Sequence, residues 1–189
     1  MNRPSRFALA TLLLLATACD GATAQPSTVI LVRHAERAAA PADDPVLSDA
    51  GTQRAQDLLA ALAFARVGSI ITTQFQRTQL TAKPIADSIR LTPIVVTAGG
   101  PTQRHVDAVV ATVKRRPPGE LVLVVGHSNT IPAIIRALGG PIMPDLCDNQ
   151  YSMLFVLELP VTGAPRFIRA KYGAADPSDS EACARMMRP

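Results

Sequence analysis

Two kinds of hydrophobic spacing alternate along this chain. Continuous β-branched runs occur at residues 28–33 (TVILVR), 67–72 and 121–125, with a shorter one at 93–96. Such runs fill strands buried on both faces of a parallel sheet. Between them, apolar residues recur at helical spacing. Leu58, Leu59 and Leu62 predict the inner face of a helix running from a Ser48 cap to about residue 66. Thr78, Thr81, Ile85 and Ile89 predict a second helix, with Pro84 a candidate kink. Val106, Val109, Val110 and Val113 mark a third, stopped by Pro117-Pro118-Gly119. Ile131, Ile134, Ile135 and Leu138 mark a fourth, closed by Gly139-Gly140. Residues 151–159 and 166–172 predict two more strands joined through Gly163. Strands alternating with helices imply an α/β fold: a three-layer α/β/α sandwich with a largely parallel central sheet.

Residues 1–24 stand apart from this alternation. Arg3 and Arg6 precede an apolar run at 7–18 and then small residues, the order of an export signal. Two processing sites compete. Ala22-Thr23-Ala24 fits cleavage before Gln25, whereas residues 15–19 (LATAC) resemble a bacterial lipoprotein signal that would lipidate Cys19. Residues 25–189 then form one domain with a polar tail from about 173, exported to the periplasm and membrane-anchored if the lipid route holds. Export leaves Cys147 and Cys183, an even pair in an oxidising compartment, which predicts a disulfide. It would close a loop of about 36 residues, worth about 3–4 kcal/mol in the chain-entropy account.

Composition narrows the classes. The 189 residues are 48% hydrophobic and 18% charged, enough apolar material for a packed core. No internal stretch approaches the roughly 20 apolar residues of a membrane span. The net charge of +4 is mild and aromatics make up 4%, too few to supply a stacking surface for single-stranded nucleic acid. No nucleic-acid partner is expected. Lys114-Arg115-Arg116 falls at a predicted helix C-terminus, where cations complement the dipole.

Candidate chemistry sits at strand ends. His34 and His127, two of only three histidines, directly follow the two most apolar strands. Ligands of open α/β sheets bind at the carboxyl ends of strands, so the two imidazoles are candidates to face each other across one pocket. Arg33 precedes His34, Arg37 follows it, and Arg77 opens the helix after the 72–76 loop. Guanidinium groups combined with helix-start amides make a receptor for a phosphate dianion. His105, beside Arg104, reads as a surface or rim residue, with a substrate contact as the alternative. No Asp/His cluster has metal spacing, so neither a metal nor a cofactor is expected.

Four ordered segments carry a resemblance. Val32-Arg33-His34-Ala35-Glu36-Arg37 resembles the R-H-G/A motif of the histidine phosphatase superfamily, whose fold is phosphoglycerate-mutase-like. Leu47-Ser48-Asp49-Ala50-Gly51 resembles its L-[ST]-x-x-G segment. Residues 73–82 (TQFQRTQLTA) resemble S-x-x-x-R-[TA]-x-x-T-A, with Thr73 for the usual Ser. Residues 125–130 (VGHSNT) resemble the segment holding the second histidine. The resemblance implies a metal-independent phosphomonoester hydrolase acting on a small phosphorylated substrate. His34 would be the nucleophile, its second ring nitrogen bonded to a backbone carbonyl. Arg33, Arg37, Arg77, His127 and Ser128 would bind the phosphoryl group.

The general acid is not where the family keeps it. Residues 97–104 contain no carboxyl group, and the position after His127 is Ser128. Glu36, Asp43, Asp44 and Asp107 are the candidates. Glu36 has the best location, with a salt bridge as its competing role. Without an acid, aryl phosphates would be cleaved far better than alkyl ones, and the alternative reading is a phosphate-binding pseudoenzyme with little turnover. The loops 38–46 and 141–150, with Asn149, are the expected rims.

Overall fold

The computed structural model describes residues 25–177. The elements follow in the order β1 (Ser27–Arg33), α1 (Asp49–Ala61), β2 (Val67–Thr72), α2 (Gln76–Ile89), β3 (Ile94–Val95), α3 (Thr102–Lys114), β4 (Leu121–Gly126), α4 (Thr130–Ala137), β5 (Met153–Leu159) and β6 (Arg166–Lys171). They form one six-stranded sheet in the order β3-β2-β4-β1-β5-β6. The β1, β2, β3 and β4 pairings are parallel, while β5 and β6 join antiparallel beyond β1.

The sheet's two faces explain why β1 and β4 are apolar throughout. Alternate side chains point to opposite sides of a strand. Val29 and Leu31, with Val122 and Val124, join the core under α3 and α4, built from Val106, Val109, Ile131, Ile134 and Ile135. Ile30 and Val32, with Leu123 and Val125, join the opposite core under α1 and α2, built from Leu58, Leu62, Ala82 and Ile85. This is the expected α/β/α sandwich.

Element ends differ from the sequence reading for local reasons. α1 begins as predicted, with the Ser48 hydroxyl accepting from the Gly51 amide at 3.2 Å. It stops at Ala61 rather than near residue 66, because the chain tightens into short turns (Ala63 amide to Ala60 carbonyl, Ala65 amide to Leu62 carbonyl) before β2 starts at Val67. Gly51 is required there: a Cβ would strike the Glu36 backbone carbonyl, against which α1 packs. α2 runs through Pro84 as one helix. β5 starts at Met153 instead of residue 151, since the Tyr151 and Ser152 amides both donate to the Asp176 carboxylate at 2.8 Å. That bond pins the first residues of the polar C-terminal segment beside the sheet.

The export signal, its competing processing sites including Cys19, and Cys183 all lie outside the described residues. Cys147 takes part in a disulfide; the predicted pairing with Cys183 involves a residue outside that range. Among the described residues no helix is long and apolar enough to cross a membrane.

Candidate active site

The site begins with strand register. β1 and β4 are parallel neighbours, and Arg33 stands opposite Gly126. The next residues on the two strands are His34 and His127, and the His34 amide donates to the Gly126 carbonyl at 2.9 Å. Two side chains 93 positions apart in the chain therefore leave the sheet side by side. Their ring centroids are 5.4 Å apart, edge to face.

The protons on these rings follow from their partners. His34 Nδ1 lies 2.8 Å from the Ala35 carbonyl, which can only accept, so Nδ1 carries the hydrogen and Nε2 the lone pair. His127 Nε2 lies 3.2 Å from the Thr73 hydroxyl. The Thr78 hydroxyl donates to the Phe75 carbonyl at 2.9 Å and lies 2.9 Å from the Thr73 hydroxyl. The Thr73 hydroxyl thereby links His127 to Thr78 in the first turn of α2. Both imidazoles are held neutral. Burial, with Arg33, His127 and Arg77 nearby, pushes His34 down to about 3. Burial, with Arg77, His105 and Arg33, pushes His127 down to about 4.

Three arginines surround them. Arg33 is buried at the end of β1, its guanidinium 4.2 Å from the centroid of the Tyr151 ring. Nη1 donates to the carbonyls of Cys147, Asp148 and Gln150 at 2.7, 3.1 and 3.2 Å, so residues 147–151 clamp the side chain. Nε is buried without a partner, an N–H that an oxyanion would satisfy. Arg77, in the first turn of α2, lies over the Phe75 ring at 4.2 Å, and Nη1 is 3.7 Å from Asp44. Asp44 also accepts from the Gln76 amide at 2.9 Å, tying the 38–46 loop to the start of α2. The Ala35 amide donates to the Thr81 hydroxyl at 2.9 Å, fixing α2 against the residue beside His34. Arg37 is exposed, its backbone bridged to Leu47.

These groups line a cavity of about 500 Å³. Arg33, His34, Arg37, Arg77, His127 and Ser128 all reach it. Among the described residues no group of three or more His, Cys, Asp or Glu side chains is placed to hold a metal ion.

Glu36 does not reach the cavity. Its carboxylate pairs with Arg54, which is only 3% exposed, through Nε to both oxygens at 2.9 Å and Nη2 to Oε1 at 2.7 Å. A buried guanidinium needs a counter-charge, and Glu36 supplies it. Arg54 also donates to the carbonyls of Tyr172 and Ala174, joining α1 to the C-terminal segment. The ion pair is the competing role read for Glu36, and the cavity lining does not include it. Asn149 is likewise absent from the cavity wall, where its neighbour Asp148 appears. The sequence reading did not single out Asp148, Tyr151 or Phe75; His105, read as a surface or rim residue with a substrate contact as the alternative, is 4% exposed and lines the cavity. β3 ends at Val95, ten residues earlier, so His105 reaches the cavity from the first turn of α3 and not from a strand end.

Comparisons with known proteins agree with this geometry. Residues 29–99 match the model of the histidine phosphatase superfamily (branch 1). No curated protein matches the chain. Among solved structures, a protein from Agrobacterium tumefaciens provisionally assigned as phosphohistidine phosphatase SixA is similar at 23% identity and a TM-score of 0.55, covering 79% of this chain and 99% of that one. A protein histidine phosphatase SixA bound to tungstate is similar at 16% identity and a TM-score of 0.58, covering 76% and 96%. A mycobacterial glucosyl-3-phosphoglycerate phosphatase is similar at 13% identity and a TM-score of 0.57, covering 80% and 100%. At these identities the likeness is one of fold.

Two outcomes follow from the charges described. Glu36→Gln should cost about 1–3 kcal/mol in urea unfolding with kcat little changed, since it strips a buried Arg54 of half its partner. A selective fall in kcat at unchanged stability would return Glu36 to catalysis. The depressed imidazoles also set a pH window. The unfolded chain takes up a proton at each His near pH 6.5, whereas folded His34 and His127 refuse it until about pH 3–4. Their contribution to stability is complete above about pH 7 and is lost as pH falls through that window, up to about 2 kcal/mol per imidazole by pH 5. His34→Gln should flatten the decline of the urea midpoint between pH 7 and 5; an unchanged slope would contradict a neutral His34.

Proposed function

We propose that this chain, a member of the histidine phosphatase superfamily, hydrolyses phosphomonoesters through a phosphohistidine at His34. The observation that carries the reading is the state of that ring. Its Nδ1–H is committed to the Ala35 carbonyl, its Nε2 lone pair is free, and a second neutral imidazole stands 5.4 Å away among arginines. A neutral imidazole kept from protonation by burial is an activated nucleophile at physiological pH.

Nε2 attacks phosphorus as the ester oxygen departs, and water then cleaves the N–P bond. Phosphoryl transfer passes through a state with charge spread over three equatorial oxygens, so positioned cations supply most of the catalysis. Arg33, with its unpartnered Nε–H, and Arg77 are held by fixed contacts and contribute preorganised charge. Arg37, exposed at the rim, steers the anion, and His127 and Ser128 complete the phosphoryl contacts. The chemistry asks for no metal, and chelators should leave activity intact.

The wider setting belongs to the same proposal. An export signal at residues 1–24 puts the enzyme in the periplasm, either free after cleavage before Gln25 or held at the membrane through lipidated Cys19. A disulfide between Cys147 and Cys183 would fasten the segment that clamps Arg33. The phosphohistidine phosphatase named among the similar folds makes N–P substrates a class to include beside phosphate esters.

His34→Ala should lower kcat for p-nitrophenyl phosphate by at least about a thousandfold, by analogy with the loss of other covalent nucleophiles. An acid-labile phosphoenzyme should be trapped in the wild type and not in the variant. Retained turnover, or tight binding of inorganic phosphate with no hydrolysis of even an aryl ester, would overturn the reading, the second result in favour of a binding protein.

A further inference from the structure

A third imidazole reaches the same cavity. His105 is the fourth residue of α3 and is buried, yet it lines the cavity with His34 and His127. Its Nδ1 lies 3.1 Å from the Thr97 carbonyl and must donate to it, so Nε2 carries the lone pair, as in His34. Thr97 opens a loop whose next residues, Ala98, Gly99 and Gly100, form part of the cavity wall. Gly100 adopts φ +66°, and nothing approaches within 4 Å of where a Cβ would sit on either glycine. The wall beside His105 is therefore low and leaves room for a substituent on phosphorus. Burial also lowers the His105 pKa below the ordinary imidazole value.

The carboxyl groups around it are engaged elsewhere or exposed. Glu36 serves Arg54, and Asp44 serves Arg77 and the Gln76 amide. Asp107 pairs with Gln103 on the exposed side of α3. Asp148 faces Arg33, and Asp43 is exposed on the rim. The buried acid–base group in the cavity, apart from the two histidines already assigned, is His105.

Resting on the function proposed above, we infer that His105 is the acid–base residue of the reaction, exchanging protons with the leaving oxygen and with the attacking water through Nε2. The ester's monoanion brings the proton, which passes to Nε2 on binding. As the His34 N–P bond forms and the P–O bond breaks, the electron pair goes to the alcohol oxygen, which takes the His105 proton. Water then gives a proton to His105 Nε2 while its oxygen bonds phosphorus, and the N–P electron pair returns to His34. The proton leaves with inorganic phosphate. An imidazole suits both halves because it can take up and release a proton at Nε2 while Nδ1–H stays on the Thr97 carbonyl.

His105→Asn tests this, because the amide retains a donor for the Thr97 carbonyl while removing Nε2. We compare kcat/KM of the wild type and H105N over phosphomonoesters from p-nitrophenyl to simple alkyl, with thermal melts of both proteins. Alkyl phosphates should lose about 10²–10³-fold and p-nitrophenyl phosphate less than about tenfold, steepening the dependence on leaving-group pKa. The solvent isotope effect on alkyl substrates should collapse toward unity. If H105N melts early, His105→Gln must show the same steepening. An equal loss on every substrate, or none, overturns the assignment. Failure to trap phospho-His34 in the wild type would instead remove the underlying function, so the two failures are distinguishable.

Discussion

The hydrogen bond from the His34 amide to the Gly126 carbonyl, 2.9 Å long, is the last rung of the β1–β4 ladder and the contact on which the site depends. A parallel sheet fixes register along its whole length, because a slip of one residue would turn each apolar side chain to the wrong face. Here the register is enforced by two cores at once. Val29 and Leu31 belong to one, Ile30 and Val32 to the other. The pairing that buries these side chains also sets His34 beside His127 where the strands stop. The placing of the two imidazoles is thus inherited from packing rather than built by loops.

Around that pair the chain manages charge by anchoring its buried and half-buried arginines through fixed protein contacts. Arg33 is clamped by three carbonyls and a tyrosine ring, Arg77 by Phe75 and Asp44, and Arg54 by Glu36. Such anchoring lowers the cost of holding like charges together and fixes them before a ligand arrives. It also explains the state of the histidines. Next to fixed cations and away from water, an imidazole avoids a further positive charge. On the proposed mechanism, the arrangement that keeps His34 nucleophilic would draw on the same cations that receive the phosphoryl oxygens.

Much of this was legible in the residues. Apolar runs located every strand of the parallel portion, the Ser48 cap located α1, and the strand-end histidines located the cavity. Other features required three dimensions. Nothing near Glu36 in the sequence announces that Arg54, on α1, will be buried and claim it. Nothing near Arg33 announces the carbonyls of residues 147–150, more than a hundred positions later, nor does residue 151 announce that Asp176 will draw its amide out of β5. These are long-range polar contacts, and local periodicity carries no record of them. His105 belongs with them, since it stands ten residues beyond β3 and reaches the cavity only because α3 packs back beside the strand ends.

The most direct test of the account concerns one atom. In a phosphoenzyme prepared from protein labelled with nitrogen-15 at histidine, phosphorus–nitrogen coupling reports which ring nitrogen carries the phosphoryl group. The account predicts a single phosphohistidine, His34, bonded through Nε2, because the Ala35 carbonyl holds Nδ1–H. Phosphorus on Nδ1, or on another histidine, would contradict it.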